Sequence, residues 1–164
     1  MSPPRKSTRN GTRGYAHLVE VEVPVARVWR ALTDAREFSE WFQVTLRGQF
    51  EPGKEISGQV TYPGYEHLNM TALVERMEPE RLFSFRWHPA ALDPKVDYSS
   101  EPMTLVEFRL EDAPGGTLLT VTESGFQSLP AARQPFVLEA NSSGWEEQLR
   151  NIERHVAQHP SPRA

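Results

Sequence analysis

A chain of 164 residues with 22 acidic and 18 basic side chains, a net charge of −4 and no cysteine has the size of one domain. The missing thiols exclude disulfides, thiolate nucleophiles and cysteine-held metals. The acid excess argues against a general nucleic-acid surface, and no apolar run reaches the ~18 residues that cross a bilayer.

The charge is unevenly spread. Residues 1–14 hold Arg5, Lys6, Arg9 and Arg13 and no acid, among Pro, Ser, Thr and Gly with no apolar periodicity. They read as a disordered basic arm, followed by one domain over 15–158 and a flexible C-terminus over 159–164. The opening Met-Ser-Pro-Pro-Arg-Lys leads into no apolar stretch of the secretory kind, which implies a cytoplasmic protein.

From Tyr15 to Val23, Val19, Val21 and Val23 alternate with Glu20 and Glu22, the period of a half-buried strand. Pro24 ends it and is tolerated at a helix start, where its missing N–H would lack a partner. Val25, Val28, Trp29 and Leu32 follow at helical spacing, and Phe38, Trp41 and Phe42 repeat it. Two short helices are therefore predicted, over 25–33 and 35–42. Strands follow over 44–50 and 56–62, joined by the turn Glu51-Pro52-Gly53-Lys54, then over 68–74 and 82–87. Residues 88–102, with Pro89, Pro94 and Pro102, have no usable period and form the longest loop, a common place for function. Strands over 103–110 and 118–124 flank Ala113-Pro114-Gly115-Gly116, a hairpin signal. A long helix then runs from about Pro135 to Gln158, with Phe136, Ala140, Trp145, Leu149, Ile152 and Val156 as its apolar face. Gly144 in its middle costs about 1 kcal/mol of helix propensity, which is easier to understand if something approaches the backbone there.

Several stretches together resemble a known family. They are Val25-Ala26-Arg27-Val28-Trp29-Arg30-Ala31-Leu32-Thr33-Asp34, Trp41-Phe42, Glu78-Pro79-Glu80-Arg81-Leu82, Gly115 through Phe126, and Gly144-Trp145 with Leu149. In this order the chain is similar to the activator-of-Hsp90-ATPase-homologue type of the START/Bet v 1-like superfamily. The resemblance implies an α+β helix-grip fold, a curved antiparallel sheet wrapped around the last helix, with two short helices after the first strand. It also implies a cavity between sheet and helix. Members of the superfamily variously bind lipids or hormones, cyclise polyketides, sequester reactive compounds or assist a chaperone, so the fold does not choose among these.

Within that frame the residues expected to line a ligand site are Trp41, Phe42, Met70, Phe85, Trp87, Glu123, Phe126, Trp145 and Leu149. The aromatic members offer large apolar area of defined shape. Glu123 alternates onto the same sheet face as Leu119 and Val121, toward the final helix. A carboxyl among apolar groups must find hydrogen-bond partners or shift its pKa, so Glu123 is expected to orient a ligand, or to move a proton if the protein is an enzyme. The histidines at 17, 67, 88, 155 and 159 have no metal-ligand spacing, and neither a nucleophile elbow nor a phosphate-cradling loop is present, so no metal or cofactor is expected. The leading function is binding of a hydrophobic or amphipathic small molecule of lipid, polyketide or aromatic type. The alternatives are a cyclase- or hydrolase-type enzyme using the same cavity, or an Hsp90-type co-chaperone with a chaperone partner. Nucleic acid and integral membrane association are not expected, and the oligomeric state is open.

Overall fold

The computed structural model of the chain describes residues 6–10, 14–93 and 95–160. Its elements, in order, are β1 (Lys6–Asn10), β2 (Gly14–Val21), α1 (Val25–Thr33), α2 (Ala35–Phe42), β3 (Val44–Arg47), β4 (Glu55–Val60), β5 (Asn69–Glu78), β6 (Leu82–Trp87), β7 (Thr104–Ala113), β8 (Gly116–Ser124) and α3 (Gln134–Gln158). The strands form one antiparallel sheet in the order β1-β2-β8-β7-β6-β5-β4-β3. A register shift between Val74 and Arg76 interrupts the β5–β6 ladder, a local irregularity of the kind that bends a strand and helps a sheet curve. The result is an α+β helix-grip fold.

Local chemistry explains the helix pair. Pro24 supplies a fixed φ of −65° immediately before α1. Asp34 ends α1 and caps α2, its side chain accepting from the backbone N–H groups of Arg36 at 3.0 Å and Glu37 at 3.1 Å. With a single residue between them, the two helices turn sharply and carry the chain from β2 to β3 on the far side of the sheet. The inward residues of β2, β7 and β8, among them Val19, Val21, Val106, Phe108, Leu119 and Val121, pack with Leu149, Ile152 and Val156 of α3 into one core.

Three expectations change. The arm expected to be disordered contains β1, which pairs with β2 from Lys6↔Leu18 to Asn10↔Gly14. A strand that joins a sheet edge through backbone hydrogen bonds needs no apolar alternation, which is why the pattern did not show it. Residues 1–5, 11–13 and 161–164, which belong to the expected flexible ends, lie outside the described residues. The strand after α2 stops at Arg47, where Gly48 takes a φ of 98°. Finally, Phe136 is 57% exposed, and the buried face of α3 begins at Val137 and Leu138.

Among the described residues no helix is long and apolar enough to cross a membrane.

Candidate functional site

A cavity of about 500 Å³ opens between the middle of α3, the end of α2, the β4–β5 side of the sheet and the loop after β6. Phe42 and Gln43 close it at the end of α2, Met70 on β5, Trp87 at the end of β6, and Ala140, Asn141, Gly144, Trp145 and Gln148 along one face of α3. Tyr62, Tyr65 and Leu68 form one rim, and Pro89 to Leu92 with Tyr98 form another. Three rings make a triangle on the wall: the centroids of Trp87 and Trp145 are 5.6 Å apart, Phe42 and Trp145 5.9 Å, and Phe42 and Trp87 6.1 Å. Gln148 fastens α3 to α2 by donating to the Phe42 carbonyl at 3.1 Å.

Glu123 faces inward, as its alternation predicts, and is fully buried. It does not reach the cavity. Its Oε1 accepts from Tyr15 Oη at 2.5 Å, Trp145 Nε1 at 3.0 Å and Asn141 Nδ2 at 3.1 Å. Its Oε2 accepts from Thr104 Oγ1 at 2.6 Å, Trp87 Nε1 at 2.8 Å and Asn141 Nδ2 at 3.2 Å. Every partner is a neutral donor, and three of them, Trp87, Asn141 and Trp145, line the cavity. The carboxylate therefore stands behind the wall and holds it. Burial first, then the negative charge of Glu123 and the hydrogen bond to it, push the Tyr15 phenol well above its usual range, so the phenol keeps its proton and stays a donor.

The expected site residues thus divide. Phe42, Met70, Trp87 and Trp145 line the cavity. Trp41, Phe85, Phe126 and Leu149 belong to the solid core instead. Trp41 donates to the Ala31 carbonyl at 2.8 Å and packs edge-on against Phe38, because adjacent helix positions point about 100° apart and Phe42 takes the cavity side. Phe126 lies against Tyr15, with ring centroids 5.7 Å apart. Sequence reasoning missed Tyr62, which the expected strand over 56–62 included but which lies beyond the end of β4 at Val60, and it missed Tyr65, Leu92 and Tyr98, which sit in a turn and in the aperiodic loop where no pattern marks a facing side. It also missed Asn141, whose signal was adjacency to the flagged Gly144-Trp145.

The rim has its own fixings. Arg133, just before α3, pairs with Glu101 at 3.0 Å, donates to the Pro89 carbonyl at 3.4 Å and lies 4.9 Å from the centre of the Tyr98 ring. One guanidinium so ties three points of the 88–102 loop. Across the mouth, Tyr62 Oη donates to Glu147 Oε1 at 3.2 Å, and that bond, then the carboxylate charge, raises the Tyr62 phenol above its usual range. Two residues on the wall, Gln43 and Ala90, hold left-handed φ values of 68° and 49°, a conformation costing non-glycine residues about 1–2 kcal/mol. His88 also lines the cavity, and its Nδ1 is buried without a hydrogen-bond partner among the described residues.

One other cluster is not a site of chemistry on this wall. Ser142 Oγ lies 3.1 Å from His17 Nε2, with Glu146 4.0 Å from Nδ1, but Ser142 and His17 are buried and neither lines the cavity. Among the described residues no three His, Cys, Asp or Glu side chains gather closely enough to hold a metal ion.

An antiparallel sheet gripping a C-terminal helix over a cavity defines the helix-grip class of proteins. Within it, the chain belongs to the Activator of Hsp90 ATPase homolog 1-like protein family, whose model matches residues 22–157. No curated protein matches it by sequence. Among solved structures it is similar to NE0264 from Nitrosomonas europaea, with a TM-score of 0.71 at 19% identity over 92% of this chain and 98% of that one. It is similar to MLL2253 from Mesorhizobium loti, with a TM-score of 0.67 at 23% identity over 87% and 97%. DynU16, a protein of the dynemicin biosynthetic locus, shares the fold with a TM-score of 0.68 at 23% identity, over 88% of this chain and 47% of that one. At these identities the likeness carries the fold alone.

Proposed function

We propose that the protein binds a hydrophobic or amphipathic small molecule in this cavity. The observation that carries the reading is a wall of three rings whose two indoles are fixed from behind by one buried carboxylate. A core built only for stability gains little by spending a buried acid on aligning aromatic rings around empty space, whereas a binding wall gains pre-organisation. The volume falls in the range of about 300–1,000 Å³ usual for small-molecule sites. The left-handed Ala90 adds support, since strain of this kind collects where a ligand is held, whereas Gln43 takes the same conformation as the C-cap of α2.

Enzyme chemistry through Glu123 is not favoured, because a carboxylate engaged at both oxygens and sealed behind the wall has no contact with a bound molecule. The test is native mass spectrometry of the protein purified from its own host. A single co-purifying small molecule, lost when Trp145 is replaced by Ala, is expected. Protein that is free of any adduct and shows no saturable binding to a broad panel of lipids, flavonoids and aromatic polyketides would contradict the reading.

A further inference from the structure

Gly144 lies in the middle of α3 and on the cavity wall, between Ala140 and Gln148 on the same helix face. Its backbone is helical, so no left-handed conformation calls for glycine. Beyond its chain neighbours and the backbone of its own helix turns, a Cβ added there meets no atom within 4 Å, so no close-packed neighbour calls for it either. The missing side chain leaves an open slot in the wall, beside the Trp145 indole, where a flat group can lie directly on the helix backbone.

The charges on the wall narrow the group further. Among the described residues that line the cavity there is no Lys or Arg, and the one acid is Glu147, at the rim. An anion entering would give up its water and face the Glu147 carboxylate, with the His88 imidazole and neutral donors but no Lys or Arg on the lining to receive it. An uncharged ring meets none of this, and a protonated amine is attracted both by Glu147 and by the aromatic faces.

We propose that Gly144 is a specificity-determining residue, whose slot admits a planar polycyclic aromatic ligand, uncharged or cationic, against the backbone of α3. This rests on the ligand-binding reading of the same cavity. The slot excludes no slender chain, so it is the width of a ring system that glycine serves. Glu147 and the absence of Lys and Arg from the lining then turn away carboxylate lipids of the same size.

Calorimetric titration of the intact chain with 9-(aminomethyl)anthracene, anthracene-9-carboxylate and dodecylamine tests this, in the wild type and in Gly144→Ala and Gly144→Val. The amine-bearing ring is expected to bind the wild type more tightly than the carboxylate. Gly144→Val is expected to weaken it on the order of 10-fold or more, with Gly144→Ala intermediate, while dodecylamine changes by less than about 3-fold. The melting temperature of Gly144→Ala is expected to rise by about 2–4 °C, which separates lost binding from lost fold. If the three proteins bind the ring equally, or if Gly144→Val weakens ring and chain alike, the slot is overturned and the cavity stands. Carboxylate binding as tight as amine binding overturns the charge selection. If none of the probes binds the wild type, the cavity reading fails and this inference fails with it.

Discussion

Two buried acids in this molecule are accommodated in opposite ways. Glu123 sits among five neutral side chains, all donating to it. Glu37, on α2, is paired with two arginines: Arg27 Nη2 donates to it at 2.7 Å and Arg30 Nε at 2.9 Å, while His155 Nε2 lies 2.9 Å away. Arg27 is itself buried and also donates through Nε to the His159 carbonyl at 2.5 Å, so this cluster ties α1, α2 and the end of α3 together. Charge pairing tolerates some change of angle, but it fails when one partner loses its charge. A set of neutral donors carries no net charge to lose and instead depends on direction. The directional network stands behind the cavity wall, where ring positions must be held, and the charged one joins helices away from the cavity.

The largest effect should come from emptying the directional network. Glu123→Ala removes the acceptor for Tyr15, Thr104, Trp87, Asn141 and Trp145 together, and each buried donor left bare costs about 1–3 kcal/mol. A loss of at least about 4 kcal/mol in urea unfolding is expected, or failure to fold. Glu123→Gln is informative because it looks conservative. Oε1 carries the Trp145 indole and Oε2 the Trp87 indole, and an indole N–H can only donate. Whichever way the amide is placed, its NH2 faces an indole N–H. A loss of about 1–3 kcal/mol is therefore expected; an unchanged unfolding midpoint would show that the network is not the anchor described.

Glu37→Gln should come next. Removing one partner of a buried ion pair costs about 3–5 kcal/mol, and the low end applies because Arg30 is partly exposed and Gln can still accept one hydrogen bond. The same residue makes the comparison sensitive to pH. Burial pushes the Glu37 carboxyl up, but the hydrogen bonds from His155 and Arg27, the Arg27 charge and the Arg30 bond outweigh it and hold the group below its ordinary value of 4.5. A depressed carboxyl binds fewer protons folded than unfolded, so its contribution is complete above about pH 4.5 and is lost as pH falls through the folded value. Stability measured from pH 6 down to pH 3 should fall less steeply in Glu37→Gln than in the wild type. Equal slopes would remove Glu37 from the acid response.

The smallest effect is expected for Trp87→Phe. One donor leaves Oε2, but Thr104 and Asn141 remain, so about 0.5–1.5 kcal/mol should be lost in the same urea assay. A loss as large as that of Glu123→Ala would mean that the network has one critical bond rather than several shared ones.

The division between the two acids also marks how far the sequence could be read. Pro24 and the spacing of Val28, Leu32, Phe38 and Phe42 are local signals, and the two helices lie over the residues they predict. The inward face of Glu123 follows from strand alternation with Leu119 and Val121. Its partners do not follow, because Tyr15, Trp87, Thr104 and Asn141 with Trp145 come from β2, β6, β7 and α3, and only the sheet register and the placement of α3 bring them to one point. Phe85 and Trp87 share a strand face by period, yet only depth along β6 separates core from cavity. Arg27 reads as a surface residue of an amphipathic helix, and nothing near it in sequence signals that it is buried.

If the wall formed by Trp87 and Trp145 is the ligand site, the indole N–H groups report it directly. The chain has four tryptophans, each with one indole N–H, and two of them, Trp29 and Trp41, lie away from the cavity. A two-dimensional 1H–15N spectrum recorded while 9-(aminomethyl)anthracene is titrated in therefore reports on all four at once. Saturable shifts are expected at the Trp87 and Trp145 indoles with one common dissociation constant, and little change at Trp29 and Trp41. Saturation accompanied by shifts at Trp29 or Trp41 while Trp87 and Trp145 stay still would contradict that assignment of the site.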